Sequence, residues 1–248
     1  MNLSDFFREN PRAAVAFSGG VDSAYLLSAA KQAGADVGAY YVKSAFQPQF
    51  ELEDAIRIAQ KLDVSMKILT VDVLADQIVA ENPADRCYYC KKLIFTTIME
   101  AAGTDGYKVL LDGTNASDEE GDRPGMRALR ELSVRSPLRE CGLTKDEIRR
   151  RSKEAGLFTW DKPAYACLAT RIPAGERITK EKLEAAEAAE NDLFSLGFTD
   201  FRVRRFGGAA RLQFQAGQLS SVLERREEIV AKLKQYYSAV LLDMEVRE

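Results

Sequence analysis

Residues 13–17 form an unbroken apolar run. The polar, glycine-containing hexapeptide Ser18-Gly19-Gly20-Val21-Asp22-Ser23 separates it from a helical pattern over 24–33. A buried strand feeds a glycine turn that opens a helix. A second β-rich run covers 36–42, and within 49–62 the residues Leu52, Ala55, Ile56, Ala59 and Leu62 recur at helical spacing before a third strand at 65–71. This alternation predicts an α/β fold built on a doubly wound, mostly parallel sheet, whose ligands sit beyond the carboxyl ends of the strands. The Ser18 loop falls at such an end. A short leading helix over 3–8 is stopped by Pro11.

Further on, 74–80 is a short amphipathic segment ended by Asn82-Pro83, and a helical run is expected over 93–102. The apolar strand 109–111 ends in Asp112-Gly113-Thr114-Asn115-Ala116-Ser117-Asp118. Such a turn suits contact with adenine, ribose or a metal, and equally an Asx turn that satisfies its own backbone; both readings stay open. Residues 118–126 read as a mobile loop. Thr144 and Glu147 have capping-box spacing, so a helix starts there and runs to about residue 155. The aperiodic stretch 160–175 reads as a long connecting loop.

Beyond it lies a smaller α+β unit. Its helix over 179–196 carries Leu183, Ala186, Glu187, Glu190, Leu193 and Phe194, dividing an apolar stripe from an acidic face. A hairpin over 201–206 and 209–214 turns at Gly207-Gly208, followed by a second amphipathic helix at 219–237 and a last strand at 239–244. The expected division is a main domain over 1–160, a connecting loop over 161–178 that carries Cys167, and an α+β domain over 179–248 for substrate binding or oligomerisation.

The chemistry is narrowed most by what is missing. Among 248 residues there is no histidine, which removes Ser-His-Asp and Cys-His catalysis and every His-ligated metal site. Proton transfers fall to carboxylates, Lys, Tyr, Cys or the substrate. With 35 Lys+Arg against 38 Asp+Glu the net charge is -3, which argues against a general nucleic-acid or membrane surface. No signal peptide or bilayer-length apolar run is visible, so a cytoplasmic protein with reduced cysteines is expected.

In the Ser18 loop, Gly19 and Gly20 are expected to turn with positive φ and present bare N–H groups, with Ser18 and Ser23 adding hydroxyl donors and the helix dipole favouring an anion. No Lys follows the glycines, so this is not a Walker A loop. Four cysteines complete the inventory: Cys87-Tyr88-Tyr89-Cys90, Cys141 and Cys167. A redox pair would need a helix start after a strand, whereas this pair follows a Pro-containing loop; a zinc Cys₄ site would show a second knuckle; a third reading is an iron–sulfur cluster on Cys87, Cys90 and one distant cysteine. Arg86, Lys91 and Lys92 beside the pair favour thiolates.

The hexapeptide resembles the pyrophosphatase loop of the N-type ATP pyrophosphatases, which include NAD synthetase, asparagine synthetase and tRNA-thiolating enzymes. That resemblance implies a PP-loop fold of the adenine nucleotide α-hydrolase kind, ATP cleaved between its α- and β-phosphates, and Mg²⁺ held by Asp22. Together with Cys87-Tyr88-Tyr89-Cys90-Lys91, Gly113-Thr114-Asn115, Ser136-Pro137-Leu138, Gly142-Leu143-Thr144-Lys145, Lys162-Pro163, Cys167-Leu168-Ala169-Thr170-Arg171 and Arg202-Val203-Arg204, it resembles the LarE family of ATP-dependent sulfur transferases over nearly the whole chain. The family adenylates a carboxylate of a pyridinium mononucleotide and converts it to a thiocarboxylate for a nickel-pincer cofactor.

Carried over, the resemblance implies ATP on Ser18, Gly19, Gly20, Asp22, Ser23, Gly113, Thr114 and Asn115, and sulfur handling by Cys167. It also implies a 4Fe-4S cluster on Cys87, Cys90 and Cys167 rather than a one-use sulfur from Cys167 alone, and a substrate phosphate on Arg202 and Arg204, with Arg171 and Glu190 also at the substrate. A sulfur donor and a homo-oligomer are implied as partners, and Cys141 matches nothing in the family. The family often has histidine after Arg-Val-Arg, where this chain has Arg205-Phe206, so the carboxylate's owner stays open. A tRNA thiolase, an amidating pyrophosphatase and a non-enzymatic nucleotide sensor are the rival readings.

Overall fold

The computed structural model describes residues 2–118 and 124–247. Two compact units divide the chain: the first comprises Met1–Val73 and Asp85–Lys162, the second Leu74–Ala84 and Pro163–Glu248.

The first unit opens with α1 (Leu3–Glu9), capped where the Asn2 side chain accepts from the Asp5 amide at 2.9 Å, then β1 (Arg12–Ala16), α2 (Val21–Gln32), β2 (Asp36–Lys43), α3 (Gln49–Lys61) and β3 (Met66–Thr70). After α4 (Gln77–Glu81), which belongs to the second unit, come α5 (Arg86–Thr104), β4 (Leu110–Leu111), α6 (Pro124–Glu131), α7 (Pro137–Glu140) and α8 (Lys145–Glu154). The four strands pair in parallel in the order β3-β2-β1-β4, as the alternation of patterns predicts.

Period-two packing explains why β1 is apolar throughout. Ala13, Val15 and Phe17 join Val37, Ala39 and Tyr41 against α1, α2, α3 and α8, while Ala14, Tyr40 and Val42 face Phe95, Ile98 and Ala102 of α5 and Leu129 of α6. Successive connections move outward from β1 to β3 and then return to the other side of β1. The reversal lies between β1 and β4, and the Ser18 and Asp112 turns both leave the sheet there.

Two sequence expectations change here. Helix α5 begins at Arg86, not near residue 93, because nothing after Pro83 interrupts it; Tyr88 N already donates to Asp85 O at 2.8 Å. The Cys-x-x-Cys therefore sits in the first turn of a helix. The loop expected at 118–126 lies partly outside the described residues, and from Pro124 onward the chain is helical.

The second unit packs α9 (Lys180–Ser195) on a three-stranded sheet of β5 (Arg202–Phe206), β6 (Ala209–Gln213) and β7 (Val240–Leu242), in the order β5-β6-β7 with β7 parallel to β6. The helix expected at 219–237 is broken into α10 (Leu219–Glu224) and α11 (Arg226–Leu233) at Arg225, whose guanidinium donates to Leu196 O. Phe198, Phe201, Val203, Leu212, Phe214, Val222 and Leu233 fill the core. Residues 74–84 are stitched to the loop before α9: Ile178 N donates to Ala80 O and Gly175 N to Asn82 O, each at 2.7 Å, and Asn82 Nδ2 donates to Pro173 O at 2.8 Å. No helix among the described residues is long and apolar enough to cross a membrane.

Candidate active site

The turn after β1 is shaped by contact. Gly19 has φ +73°, and a Cβ on it would lie 3.0 Å from the Ala55 backbone nitrogen. Gly20, expected to share that conformation, has φ -76° and ψ 168°; it is the N-cap of α2 and provides no side-chain cap. The helix entrance therefore offers its first amides to an anion. Ser18 and Ser23 brace the turn, with their hydroxyls 3.2 Å apart, Ser18 N donating to Ser23 Oγ at 3.3 Å and Ser23 Oγ donating to Gly20 O at 3.3 Å.

The turn after β4 closes against this entrance. A Cβ on Gly113 would sit 3.0 Å from Ser23 N, so only glycine allows the approach. Buried Asp112 accepts from Ser136 Oγ at 2.6 Å and from the Thr114 hydroxyl. Asn115 makes the Asx turn, its Oδ1 accepting from Ser117 N at 2.8 Å, yet its Nδ2 also donates to Asp22 Oδ1 at 3.3 Å. The Asx turn is present, and the same side chain ties this turn to Asp22 of the Ser18 loop.

Lys145 is the residue that the sequence analysis missed. It is the first residue of α8, behind the Thr144 cap, and its Nζ donates to Asp22 Oδ2 at 2.5 Å. The only signal was its place in Gly142-Leu143-Thr144-Lys145, where the capping pattern drew attention to helix geometry. Asp22 thus carries an amide on one oxygen and an ammonium on the other. An all-oxygen donor beside uncapped helix amides is the chemistry a hard cation and a polyphosphate share.

In the second unit, Cys167 is half-buried and precedes a single 3₁₀ turn, Leu168–Arg171. Arg171, with no exposed side-chain surface, forks onto Glu190, Nε to Oε1 at 2.7 Å and Nη2 to Oε2 at 3.0 Å. Glu190 is therefore not on an acidic solvent face, as its helix pattern suggested. Arg202 donates to Phe201 O at 2.6 Å and to Ala164 O, and Arg204 to Gln213 Oε1 and Thr170 O, both at 2.6 Å. Burial, and then the nearby charges of Arg171 and Arg247, push Arg202 down to about 10. Burial followed by Arg171 and Arg211 lowers Arg204 as well. Such crowded guanidinium groups gain from an added anion.

Cys87 is exposed and Cys90 buried, one helical turn apart. This pair suits two thiolate ligands; Cys167 lies in the other unit. Among the described residues no group of three or more Cys, Asp or Glu side chains is close enough to hold a metal ion. Two of the cations beside the pair have other partners: Lys92 donates to Tyr88 Oη at 3.2 Å and Arg86 lies over the Phe46 ring. Cys141 packs against the core beside α1 and α2, and burial raises its thiol.

Residues 12–82 match the family described as queuosine biosynthesis protein QueC. The chain is 38% identical over 224 residues to uncharacterized protein slr1717 of Synechocystis, covering 90% of this chain and 84% of that protein. It is 32% identical over 236 residues to the pyridinium-3,5-bisthiocarboxylic acid mononucleotide synthase of Lactiplantibacillus plantarum, covering 94% of this chain and 86% of the synthase. A tRNA-specific 2-thiouridylase MnmA 2 of Clostridium botulinum is 25% identical over 181 residues, 60% of this chain and 51% of that enzyme. Similarity to the synthase at that identity over almost the full length, joined to a glycine loop at the switch point of a parallel sheet, shows that the chain belongs to the LarE family of ATP-dependent PP-loop sulfur transferases.

Proposed function

We propose that the chain adenylates a carboxylate of a pyridinium-3,5-biscarboxylate mononucleotide and replaces the AMP with sulfur, giving a thiocarboxylate. The observation that carries this reading is the uncapped entrance of α2 with Asp22 braced by Asn115 and Lys145. The phosphates of ATP would lie on the amides after Gly19. The substrate carboxylate attacks the α-phosphorus, the bond to the β-phosphate breaks, and pyrophosphate leaves. Lys145 neutralises charge on the leaving group, and positioning supplies most of the remaining acceleration. Asp22 would hold Mg²⁺, which when bound neutralises phosphate charge.

Activation is required because oxide is a poor leaving group and AMP a good one. A sulfur atom carried at Cys167 then attacks the acyl carbon, AMP leaves with the electron pair of its C–O bond, and the bond joining that sulfur to its carrier breaks, so that the thiocarboxylate departs with the sulfur. Arg202 and Arg204 would hold the substrate phosphate through paired guanidinium hydrogen bonds. Cys87, Cys90 and Cys167 would hold a 4Fe-4S cluster, which when bound supplies the transferred sulfide. A separate sulfur donor and a homo-oligomeric assembly complete the proposal.

Pyrophosphate release from ATP and this mononucleotide tests the first half. Lys145→Ala is expected to slow release by roughly 10²-fold, and an unchanged rate would remove Lys145 from the site. Iron and acid-labile sulfide in anaerobically purified protein test the second half. They are expected in the wild type and after Cys141→Ala, and lost after Cys87→Ala, Cys90→Ala or Cys167→Ala; iron absent from the wild type would leave Cys167 itself as donor. The partial similarity to the 2-thiouridylase supports tRNA as a second reading of the substrate. Pyrophosphate release with tRNA and none with the mononucleotide would establish it.

A further inference from the structure

The segment 164–171 has no strand and no α-helix to satisfy its backbone, and its carbonyls need other partners. Three guanidinium groups provide them. Arg202 donates to Ala164 O, Arg171 Nη1 to Ala166 O at 3.0 Å, and Arg204 Nη1 to Thr170 O at 2.6 Å. Between these points the Cys167 carbonyl accepts from Thr170 N at 3.0 Å and from Thr170 Oγ1 at 2.9 Å, and Thr170 Oγ1 in turn accepts from Arg171 Nη1 at 2.8 Å. The backbone on both sides of Cys167 is held by arginines, without use of the thiol.

The hub is the Arg171–Glu190 pair. Glu190 also accepts from Val203 N of β5 at 3.0 Å and from the Tyr165 hydroxyl, so one carboxylate joins α9, the sheet and the loop. Burying both charges is worthwhile only when the geometry is fixed and the remaining donors are satisfied. Here Arg171 Nη1, which the carboxylate does not take, donates to Ala166 O and Thr170 Oγ1 of the Cys167 segment.

We propose that Arg171 and Glu190 are positioning residues that set the location of the Cys167 sulfur by clamping the main chain around it, rather than residues that bind substrate. This rests on Cys167 being the sulfur-bearing residue. A clamp that acts through carbonyls works equally well for a free thiol and a ligated one. Its loss moves the nucleophile while leaving the substrate's own contacts in place.

The test compares wild type, Arg171→Lys, Glu190→Gln and Thr170→Val, with Arg225→Ala as a variant that perturbs the same unit away from the clamp. Iodoacetamide alkylation of each cysteine is followed by residue-resolved mass spectrometry, and thiocarboxylate formation is measured across mononucleotide concentrations. Positioning predicts a change of about tenfold or more in Cys167 alkylation, the equivalent of a 1.4 kcal/mol shift. Cys141 alkylation stays at the wild-type rate. It also predicts a fall in kcat on the order of 10²-fold, the effect of a misplaced reacting group, with KM unchanged. Thr170→Val keeps the buried pair and should show the same signature more weakly if the larger changes prevent folding. A raised KM with wild-type kcat would return Arg171 and Glu190 to substrate binding, and wild-type alkylation and kcat in all three variants would overturn the proposal. Cys167→Ala that still forms thiocarboxylate would instead sink Cys167 as sulfur carrier, an outcome independent of the alkylation results.

Discussion

Gly19 and Gly20 look alike in the sequence and differ in what they tolerate. A side chain at Gly19 must adopt φ +73° and press on the Ala55 backbone. Gly19→Ala is expected to cost ~1–2 kcal/mol from the conformation alone, and more from the contact, as read by urea unfolding with ATP affinity measured alongside. Gly20 has an ordinary φ, and a Cβ there would meet only Ser18 Oγ at 3.4 Å, so Gly20→Ala should cost under about 1 kcal/mol. A reversed order of the two losses would refute this account of the turn. The turn was legible because glycine, serine and aspartate between a strand and a helix have few other uses. Glu190 was not, since its partner Arg171 lies 19 residues away. Its spacing held a clue: Ala186 and Leu193, four before and three after, are both core positions. Glu190→Ala leaves a buried guanidinium unpaired and should cost about 3–5 kcal/mol.

At the scale of elements, the strands β1 and β2 were readable because a parallel strand buried on both faces must be apolar at successive positions. The two-residue β4 and the start of α5 carried weaker signals, a short apolar run and an absence of breakers. The division of α10 from α11 carried none, because it coincides with Arg225 reaching Leu196 O, just past the end of α9 and far away in sequence. Thr144 was read for its cap alone, and the cap is there, its hydroxyl accepting from Glu147 N at 3.4 Å. Thr144→Ala is expected to lower stability by ~1 kcal/mol in chemical denaturation. It should also weaken pyrophosphate release, because the same first turn aims Lys145 at Asp22; full stability with slowed release would separate the two roles.

Taken whole, the molecule should be sensitive to alkali. Burial pushes Tyr237 up to about 12 and raises Tyr41 above the ordinary tyrosine range. A raised folded-state value means the folded chain holds its phenol proton more tightly than the unfolded chain. The associated stability is complete below the unfolded value of about 10 and shrinks as pH climbs through about 12. The unfolding midpoint should fall across that window, and Tyr237→Phe should flatten the fall. The stitching of 74–84 to the loop before α9 has a different kind of consequence. The second unit is not encoded by one contiguous stretch, and a fragment of 163–248 lacks the Ala80 and Asn82 groups that receive Ile178 and Gly175. One splice cannot transplant that unit onto another scaffold, and a break anywhere in 74–84 severs both units' covalent continuity at once. The unit that carries the Ser18 loop and the unit that carries Cys167 are thereby interleaved along one chain, and neither can be exchanged without cutting the other.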